Sequence, residues 1–584
     1  MGRLIKQIQV FIGIVVCLFF IQASGQISKE QLSKVRKVIP TEKVVVHTNK
    51  SVYLAGETLY YKFYSLTTNN KPSDVSNVGY VQLIGANNYL LFEHKLNLEK
   101  GLASSDFFMP SSINTGHYKL LGYTKWMENN VSSPFFVKDI YVINPFTVNG
   151  MLFQENQNNT KNTVHIIRNE NVTNNLDNQV DKISLDIEKQ SYATRSKVVV
   201  NLKSNLANVY KGNYSLSIKK INSLKLNQDE QVNESVKEIN GFYLPEIRSE
   251  IISGKVLNKK DGTSAAGKIV TLVLPGKDYI FKNVKTNDIG AFYFNLYENY
   301  KDAEALIQVQ DVDRDQYDVV LDSKLFLYSK DLKFNEVKLD TSIKPWLLKQ
   351  SIRRQIENAY ANSKKDSIVY RVPKGVFYDK PSLTYVLDDY KRFSTVRETF
   401  VEVIQNAAIR ESKEGYSFRV NALVEFKNSA FKDYDPLVLV DGYLIQDNAD
   451  IVDFDCDKIE SISLVRGIYF SGPVIYNGVL DFKTKKGDFR PLHNNEGLVV
   501  FNLEAPQVSK LYYHPNYTVE NESLKRIPDY RTQLLWVPNL ELKKENNTIE
   551  FYTSDVTGDF IIVLEGYSVN GDYIKSKRVF KVGN

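Results

Sequence analysis

The chain has 584 residues, of which 43% are hydrophobic and 24% charged, and its formal net charge is +6. This length is too great for one hydrophobic core, so about four to six domains are expected. The 36 tyrosines and 31 phenylalanines favour β structure. The basic residues form no run of five or six, which argues against nucleic acid as a partner.

Residues 1–25 have the pattern of a secretory signal peptide. A short basic start precedes the apolar run 10–21, and Ala23-Ser24-Gly25 supplies small residues before cleavage at Gln26. The apolar run has about 12 residues and a membrane span needs about 20, so cleavage is favoured over anchoring. Cys17 lies inside the apolar run, which argues against a lipoprotein. We therefore expect export to the cell envelope.

The first mature stretch predicts a β-sandwich over residues 38–145. Residues 42–64 read EKVVVHTNKSVYLAGETLYYKFY, two strands around a turn at Ala55-Gly56-Glu57, and strands then recur about every ten residues. With Gly116-His117-Tyr118 and the YTKWM run at 123–127, this stretch resembles the macroglobulin-type domain of α-macroglobulins.

A weaker copy of the same pattern follows. Residues 185–202 read LDIEKQSYATRSKVVVNL, in which Val198, Val200 and Leu202 share one strand face. Tyr214, Leu216 and Ile218 alternate with polar residues in the same way. We predict a second macroglobulin-like sandwich over 146–240.

The next domain is predicted over 250–335. Gly254-Lys255-Val256 is followed by the alternating strand Gly290-Ala291-Phe292-Tyr293-Phe294. These features resemble the carboxypeptidase regulatory-like domain, a small β-sandwich.

Helices are predicted only after this domain. Within 347–365, Leu348, Ile352, Ile356 and Tyr360 recur every four residues and form an apolar stripe, in a connector placed at 345–374. A second helix is predicted to start at Thr395, where Thr-Val-Arg-Glu forms a capping box. Its apolar face is expected to hold Val396, Phe400, Val403, Ile404 and Ala407.

The most specific stretch is 436–487. The strand Leu437–Val440 runs into Asp441-Gly442, a hairpin-turn dipeptide, and further strands lead to Tyr476-Asn477-Gly478-Val479 and a closing Thr-Lys-Lys-Gly. These motifs, with Ile-Glu-Ser-Ile and Arg466-Gly467, resemble the plug domain of Bacteroidetes TonB-dependent outer-membrane receptors. A plug-like α+β domain is therefore predicted over 375–490, and a C-terminal β domain over 495–584.

The resemblance implies a barrel partner. A plugged barrel has about 22 strands of roughly 10 residues, and only about 100 residues follow Gly487. We therefore expect a plug-like fold that acts without a pore of its own. The predicted fold class is mainly β and multi-domain: serial β-sandwiches, then the plug-like α+β domain and the C-terminal β domain.

The glycine-rich segment 467–478 is the candidate contact loop. Arg466, Tyr469, Phe470 and Tyr476 lie among its glycines, and arginine and tyrosine are favoured at binding hot spots. The alternative is that the glycines only serve tight turns of the fold.

The sequence offers no sign of catalysis. It has no G-x-S-x-G, H-E-x-x-H, P-loop or G-x-G-x-x-G motif, and no two of its six histidines lie within five residues. Two D-x-D-x-D runs, at 311–315 and 453–457, lack the glycine of a calcium loop. Cys456 remains as the single mature cysteine, so no internal disulfide is expected. We expect no cofactor and no metal.

The sequence thus predicts a non-catalytic cell-envelope protein. It is expected to dock through the plug-like domain onto an outer-membrane β-barrel or barrel complex, as a transport or assembly accessory, and to associate with the membrane through that partner. A ligand-binding adhesin or glycan-uptake module is the alternative, and an enzyme without a recognisable motif comes third.

Overall fold

The structure is a computed structural model, and it describes residues 38–130, 135–147, 152–154, 163–168, 182–204, 211–221, 224–227, 243–310, 312–322, 332–369, 377–378, 380–413, 415–423, 431, 433–490, 498–518, 526–542 and 546–583. The predicted signal peptide at 1–25 lies outside these residues. The described chain is mainly β, as the sequence predicts. It divides into two compact units. Unit 1 holds Met1–Ile247, Phe326–Val369 and Gln507–Asn584; unit 2 holds Arg248–Leu325 and Tyr370–Pro506.

Unit 1 begins with a sandwich of two antiparallel-rich sheets, which we call the first sandwich. Its core alternates along the strands, so that Val44, Val46, Leu59, Tyr61 and Phe63 are buried between the sheets. One sheet has the order Glu42–Thr48, Thr58–Thr67, Leu102–Phe108, and the other the order Val52–Leu54, Phe136–Ile143, Gly116–Tyr123, Val78–Gly85, Tyr89–Asn97.

The second sandwich of unit 1 is assembled from two distant parts of the chain. Val198, Val200 and Leu202 form the buried face of Lys197–Lys203, as predicted, and pack on Phe551 and Phe580. Its sheets have the orders Ser184–Ile187, Lys197–Lys203, Asn546–Tyr552 and Ser191–Tyr192, Tyr573–Val582, Gly558–Ser568, Gly212–Lys220, Gln533–Glu541.

This assembly corrects the predicted order of domains. The strands predicted as a separate sandwich at 146–240 and those predicted as a C-terminal β domain at 495–584 hydrogen-bond to one another along Lys197–Lys203 and Gly212–Lys220. Each set alone leaves an apolar face that needs the other set to cover it. Residues between the two sets, including all of unit 2, are therefore an insertion in the second sandwich.

A small sheet and a helix complete unit 1. Val164, Ile166, Val337 and Leu339 pack with Ile343 against the first sandwich. The sheet has the order Leu224–Asn227, Thr163–Arg168, Glu336–Asp340, Phe153–Gln154; the helix is Lys344–Ala359; and Ser367–Val369 pairs with Ser509–Leu511.

Unit 2 begins with a small sandwich. The strand Leu498–Leu503, which the sequence places in the C-terminal β domain, pairs instead with Ala303–Val309 of this sandwich. Phe501 and Leu503 pack on its core, so the pairing buries apolar surface. The sheets have the orders Ala291–Leu296, Glu250–Asn258, Tyr317–Leu321 and Ile280–Lys285, Ile269–Leu274, Ala303–Val309, Leu498–Leu503.

The rest of unit 2 is a domain of strands and short helices, which we call the mixed domain. Its main sheet has the order Leu383–Val386, Ile459–Ser471, Val474–Thr484, Leu437–Val440, Tyr443–Leu444, and a hairpin pairs Ala407–Ser412 with Gly415–Val420. Its helices are Val396–Glu402 and Ala449–Val452. Tyr279 and Phe281 of the small sandwich belong to the same buried cluster as the main sheet, so the two domains share a core.

The predicted cap at Thr395 is present, and the helix is shorter than predicted. The Thr395 hydroxyl accepts a hydrogen bond from the Glu398 N–H at 3.2 Å, and the Glu398 carboxylate accepts one from the Ser394 N–H at 2.9 Å. The helix ends at Glu402, and Ala407 begins a strand. Ala407 is still buried in the same core, which is why its spacing imitates a longer helix.

Candidate functional site

The predicted contact loop is a β-hairpin in the main sheet of the mixed domain. Ile459–Ser471 pairs with Val474–Thr484, and only Gly472 and Pro473 separate the two strands. Tyr469 lies opposite Tyr476, and the next pair is Phe470 with Ile475. Neighbouring residues of a strand point to opposite faces, so Tyr469 and Phe470 cannot serve the same contact surface.

Tyr476 is a buried structural residue, which corrects its predicted role in partner binding. Its side chain is 5% exposed, and its hydroxyl bonds Asn283 Nδ2 and Gln310 Oε1 of the small sandwich, each at 3.0 Å. Burial raises the pKa of Tyr476 to about 12. The residue therefore joins the two domains of unit 2.

Arg466 and Tyr469 are also occupied within the mixed domain. Arg466 Nε donates to the Asn421 carbonyl at 2.8 Å. The Tyr469 hydroxyl donates to the Phe377 carbonyl at 3.3 Å, and its ring lies 5.3 Å from the Phe377 ring. Both side chains are half-buried, so they offer a partner less surface than the sequence suggests.

Phe470 remains available on the outer face of the hairpin. It is 60% exposed, and its ring centroid lies 6.2 Å from that of Phe431, which in turn is 5.6 Å from Tyr434. Tyr434 is 47% exposed. We call Phe431, Tyr434 and Phe470 the aromatic patch. Sequence reasoning missed Phe431 and Tyr434, because they lie in a loop without periodicity.

A β-bulge at the base of the hairpin accounts for Arg466-Gly467 and Gly478. The pairing passes from Val465–Val479 to Ile468–Asn477, so one strand carries an extra residue there. Gly478 has φ +102°, and a Cβ at this position would lie 2.9 Å from the Val420 side chain. These glycines serve the fold, as the alternative in the sequence analysis proposed.

Two of the sequence motifs meet at Asp441. Asp441 and Gly442 have φ of +49° and +88°, which gives the two-residue turn expected of Asp-Gly. The buried Asp441 carboxylate accepts hydrogen bonds from the Thr484 N–H at 2.8 Å, the Thr484 hydroxyl at 2.5 Å and the Phe489 N–H at 3.1 Å. The Val-Asp-Gly turn thereby fixes the closing Thr-Lys-Lys-Gly segment.

The core shared by the two domains contains a second buried carboxyl group, Asp481. It accepts a hydrogen bond from the Tyr378 hydroxyl at 2.5 Å and is fully buried. Burial raises the pKa of Asp481, while the hydroxyls of Tyr378 and Tyr279 act in the opposite direction. The folded protein therefore favours the protonated carboxyl more than the unfolded chain does.

We expect Asp481→Asn to stabilise the protein more at pH 8 than at pH 4. A raised folded-state pKa means that the stability from the protonated group is present at acid pH and is lost as pH rises through that pKa. The amide keeps an acceptor for Tyr378 without a charge, so the gain is about 1.4 kcal/mol for each unit by which the pKa is raised. Urea unfolding at several pH values measures it.

Asp318→Asn, on the exposed face of a small-sandwich strand, is the matched control for that experiment. It is expected to leave stability unchanged across the same pH range. An equal effect of Asp481→Asn at pH 4 and pH 8 contradicts the ionisation of a buried carboxyl.

Cys456 is buried in the mixed domain at 1% exposure. Its Sγ lies 3.0 Å from the Thr399 hydroxyl. Burial, more than Asp455 and Asp457, raises the pKa of the Cys456 thiol. A buried thiol with a raised pKa is a poor nucleophile, which agrees with a packing role.

The described residues contain no group of three or more His, Cys, Asp or Glu side chains arranged to hold a metal ion. Within the same residues, no helix is both long and apolar enough to cross a membrane.

Comparisons with known proteins give no family. No protein-family model matches the chain, and no curated protein matches it significantly. Among solved structures, it is similar to trypsin-activated alpha-2-macroglobulin from Escherichia coli, at 9% identity and a TM-score of 0.23 over 93% of this chain and 42% of that one. Salmonella alpha-2-macroglobulin reacted with methylamine gives 9% identity and a TM-score of 0.23, over 93% and 40%.

The chain thus spans less than half the length of these macroglobulins.

Proposed function

We propose that this chain is a non-catalytic cell-envelope protein that docks through its mixed domain onto an outer-membrane β-barrel or barrel complex, as a transport or assembly accessory. The observation that carries the proposal is the aromatic patch. Its member Phe470 lies on a hairpin whose sequence motifs resemble those of receptor plugs, and this resemblance supports a barrel as the partner.

The chemistry of the patch supports a protein contact. Phe470 and Tyr434 expose large apolar surface, and exposed aromatic clusters are typical of interaction sites. Phe470 is carried by a long hairpin, braced on its opposite face by Tyr469 and Tyr476. The side chain is therefore held in place before binding, which lowers the entropy lost on docking.

The test is co-purification of a β-barrel protein from detergent-solubilised outer membranes. We expect the variant Phe470→Ala with Tyr434→Ala to bind the barrel about 30-fold or more weakly than the natural chain and to retain correspondingly less of it, because two hot-spot aromatics at about 1–2 kcal/mol each contribute about 2–4 kcal/mol. Mass spectrometry of the retained proteins measures the difference.

Two control variants separate docking from folding. Tyr297→Ala removes an aromatic ring that is 63% exposed in the small sandwich, and it should leave barrel capture unchanged. Tyr476→Phe removes a buried hydroxyl and should lower the melting temperature without reducing capture. If the natural chain and the double variant capture the same amount of barrel protein and have the same melting temperature, the patch is not part of the interface.

A glycan ligand is the second candidate function. Exposed aromatic rings also stack on the apolar faces of sugars, and Phe470 and Tyr434 are suited to this. Two results together favour this adhesin or uptake role over docking. The natural chain binds a glycan array and the double variant does not, and the natural chain retains no barrel protein.

A further inference from the structure

The helix Lys344–Ala359 is packed with its polar side inward. Its buried residues include Gln350, Ser351 and Glu357, with Leu347 the one buried aliphatic residue. Arg354 donates to Glu57 Oε1 of the first sandwich at 2.8 Å and to the Thr532 hydroxyl at 2.9 Å. Ion pairs and hydrogen bonds, rather than an apolar stripe, therefore hold this side of the helix on the sandwiches of unit 1.

Glu357 anchors the end of the same polar side. Its carboxylate accepts hydrogen bonds from Lys364 Nζ at 2.7 Å and from the Tyr530 N–H at 2.7 Å. Lys50 adds a further pair with Glu57 at 2.9 Å. These groups are largely buried and matched in charge. If the helix turned its apolar side inward, they would lose their partners, which is costly for buried charges.

The apolar stripe predicted from the sequence consequently faces outward. Leu348 is 65% exposed, Ile352 51% and Tyr360 38%, and Ile356 is partly exposed between them. At 100° per residue the first three positions along the chain follow one side of the helix over about 12 Å, and Tyr360 follows directly after the last helical residue. Apolar side chains repeated along one exposed helix face form a continuous patch, which differs from single exposed residues.

Cations flank this stripe. Lys344 and Lys349 are exposed, and Arg353 is half-buried, while the one acidic residue of the helix, Glu357, lies on the buried side. The outward half of the helix therefore carries the apolar stripe, cations and the exposed Gln355, and no carboxylate. A basic, one-sided helix of this kind suits the surface of an anionic membrane, where the apolar stripe enters the headgroup boundary and the cations meet lipid phosphates.

A second copy of the chain is a poorer occupant. A symmetric contact through the same face would bring Lys349 and Arg353 of one copy towards the same cations of the other, and like charges oppose association.

We infer that the outward face of the Lys344–Ala359 helix binds the surface of a membrane rich in anionic phospholipid. This inference does not depend on the proposed docking to a barrel.

The test is sedimentation of the full exported chain with phospholipid vesicles. We expect the natural chain to bind vesicles of equal parts phosphatidylcholine and phosphatidylglycerol, to bind pure phosphatidylcholine weakly, and to be released by high salt. Leu348→Gln with Ile352→Gln should weaken binding by about tenfold or more, because it removes the two most exposed members of the stripe.

The charge and specificity controls use other exposed positions. Lys349→Gln with Arg353→Gln should reduce binding to the anionic vesicles while leaving the weak binding to phosphatidylcholine unchanged. Val401→Gln with Val569→Gln replaces exposed aliphatic residues elsewhere, at 78% and 51% exposure, and should bind like the natural chain. All variants share the same N terminus, so any contribution from it cancels.

Two outcomes overturn the inference. One is equal vesicle binding by the natural chain and the Leu348/Ile352 variant, or no binding by either. The other is a natural chain that sediments as a dimer without vesicles and a variant that is monomeric, which assigns the face to a second copy. Melting curves should be unchanged in the Gln variants, since both side chains are exposed.

Discussion

Replacing Glu42 by Ala is expected to destabilise unit 1 by about 4 kcal/mol or more. Glu42 is 1% exposed, and its Oε1 accepts hydrogen bonds from the Ser65 hydroxyl at 3.0 Å, the Ser73 hydroxyl at 2.7 Å and the Ser76 N–H at 3.1 Å. Its Oε2 accepts from the Ser76 hydroxyl at 2.6 Å and from Thr124 at 2.8 Å. Alanine leaves all these donors buried without an acceptor. Chemical denaturation measures the loss.

Glu42→Gln is the matched variant for this prediction. The amide keeps one acceptor oxygen, and the Ser76 and Thr124 hydroxyls can rotate to accept from its NH₂ group. We expect a loss of about 1–2 kcal/mol. Similar destabilisation by Ala and Gln contradicts the hydrogen-bond account and points to the charge itself as the stabilising feature.

The sequence predicted those features that depend on neighbours along the chain. The Asp441-Gly442 turn, the Thr395 cap and the buried face of Lys197–Lys203 are all present, because turn conformation, capping and strand alternation are set within a few residues. Each of these sequence patterns favours one local backbone conformation, so the conformation can be predicted from the pattern alone.

Pairing between distant segments could not be predicted. Alternation in Lys197–Lys203 indicates which face is buried, and carries no information that its partner is Asn546–Tyr552. The same limit applies to Gly212–Lys220. Ser215 and Ser217 are buried although their face is polar, because the first sandwich covers it and Tyr64 reaches the backbone of Asn213. Lys219, the residue before the last in this strand, is half-buried and donates to the Asn49 carbonyl.

The candidate site shows the same limit at the scale of single residues. Glycines at 467, 472 and 478 suggested a loop, whereas Gly467 and Gly478 lie at a bulge between long strands and Gly472 lies in their two-residue turn. In a strand, alternate residues are divided between two faces, so only Phe470 of the four predicted residues stays largely exposed. In the helix at 344–359, the periodicity of the sequence predicts the apolar stripe correctly but not that the stripe is exposed. The opposite side is buried because its charged residues form ion pairs with the sandwiches.

Replacing Asp441 by Ala is expected to destabilise unit 2 by about 3 kcal/mol. Two effects combine in this value. The Thr484 N–H and hydroxyl and the Phe489 N–H lose a charged acceptor inside the core, and alanine is strained at the positive φ of 49° that the turn requires. Denaturation monitored by the reaction of Cys456 with a thiol reagent would report on the mixed domain specifically. This thiol is only 1% exposed when the domain is folded, so it reacts when the domain unfolds.

Asp441→Asn separates the two effects. Asparagine tolerates a positive φ and keeps one acceptor oxygen for the Thr484 and Phe489 donors, so a loss of only about 1 kcal/mol is expected. Gly442→Ala provides the complementary case: it leaves the carboxylate intact and adds a Cβ that would lie 2.4 Å from the Tyr279 side chain, at a φ of +88°. If Asp441→Asn destabilises the protein as much as Asp441→Ala does, the negative charge itself stabilises the turn. If Asp441→Ala leaves the stability unchanged, the closing Thr-Lys-Lys-Gly segment is held by its strand pairing alone.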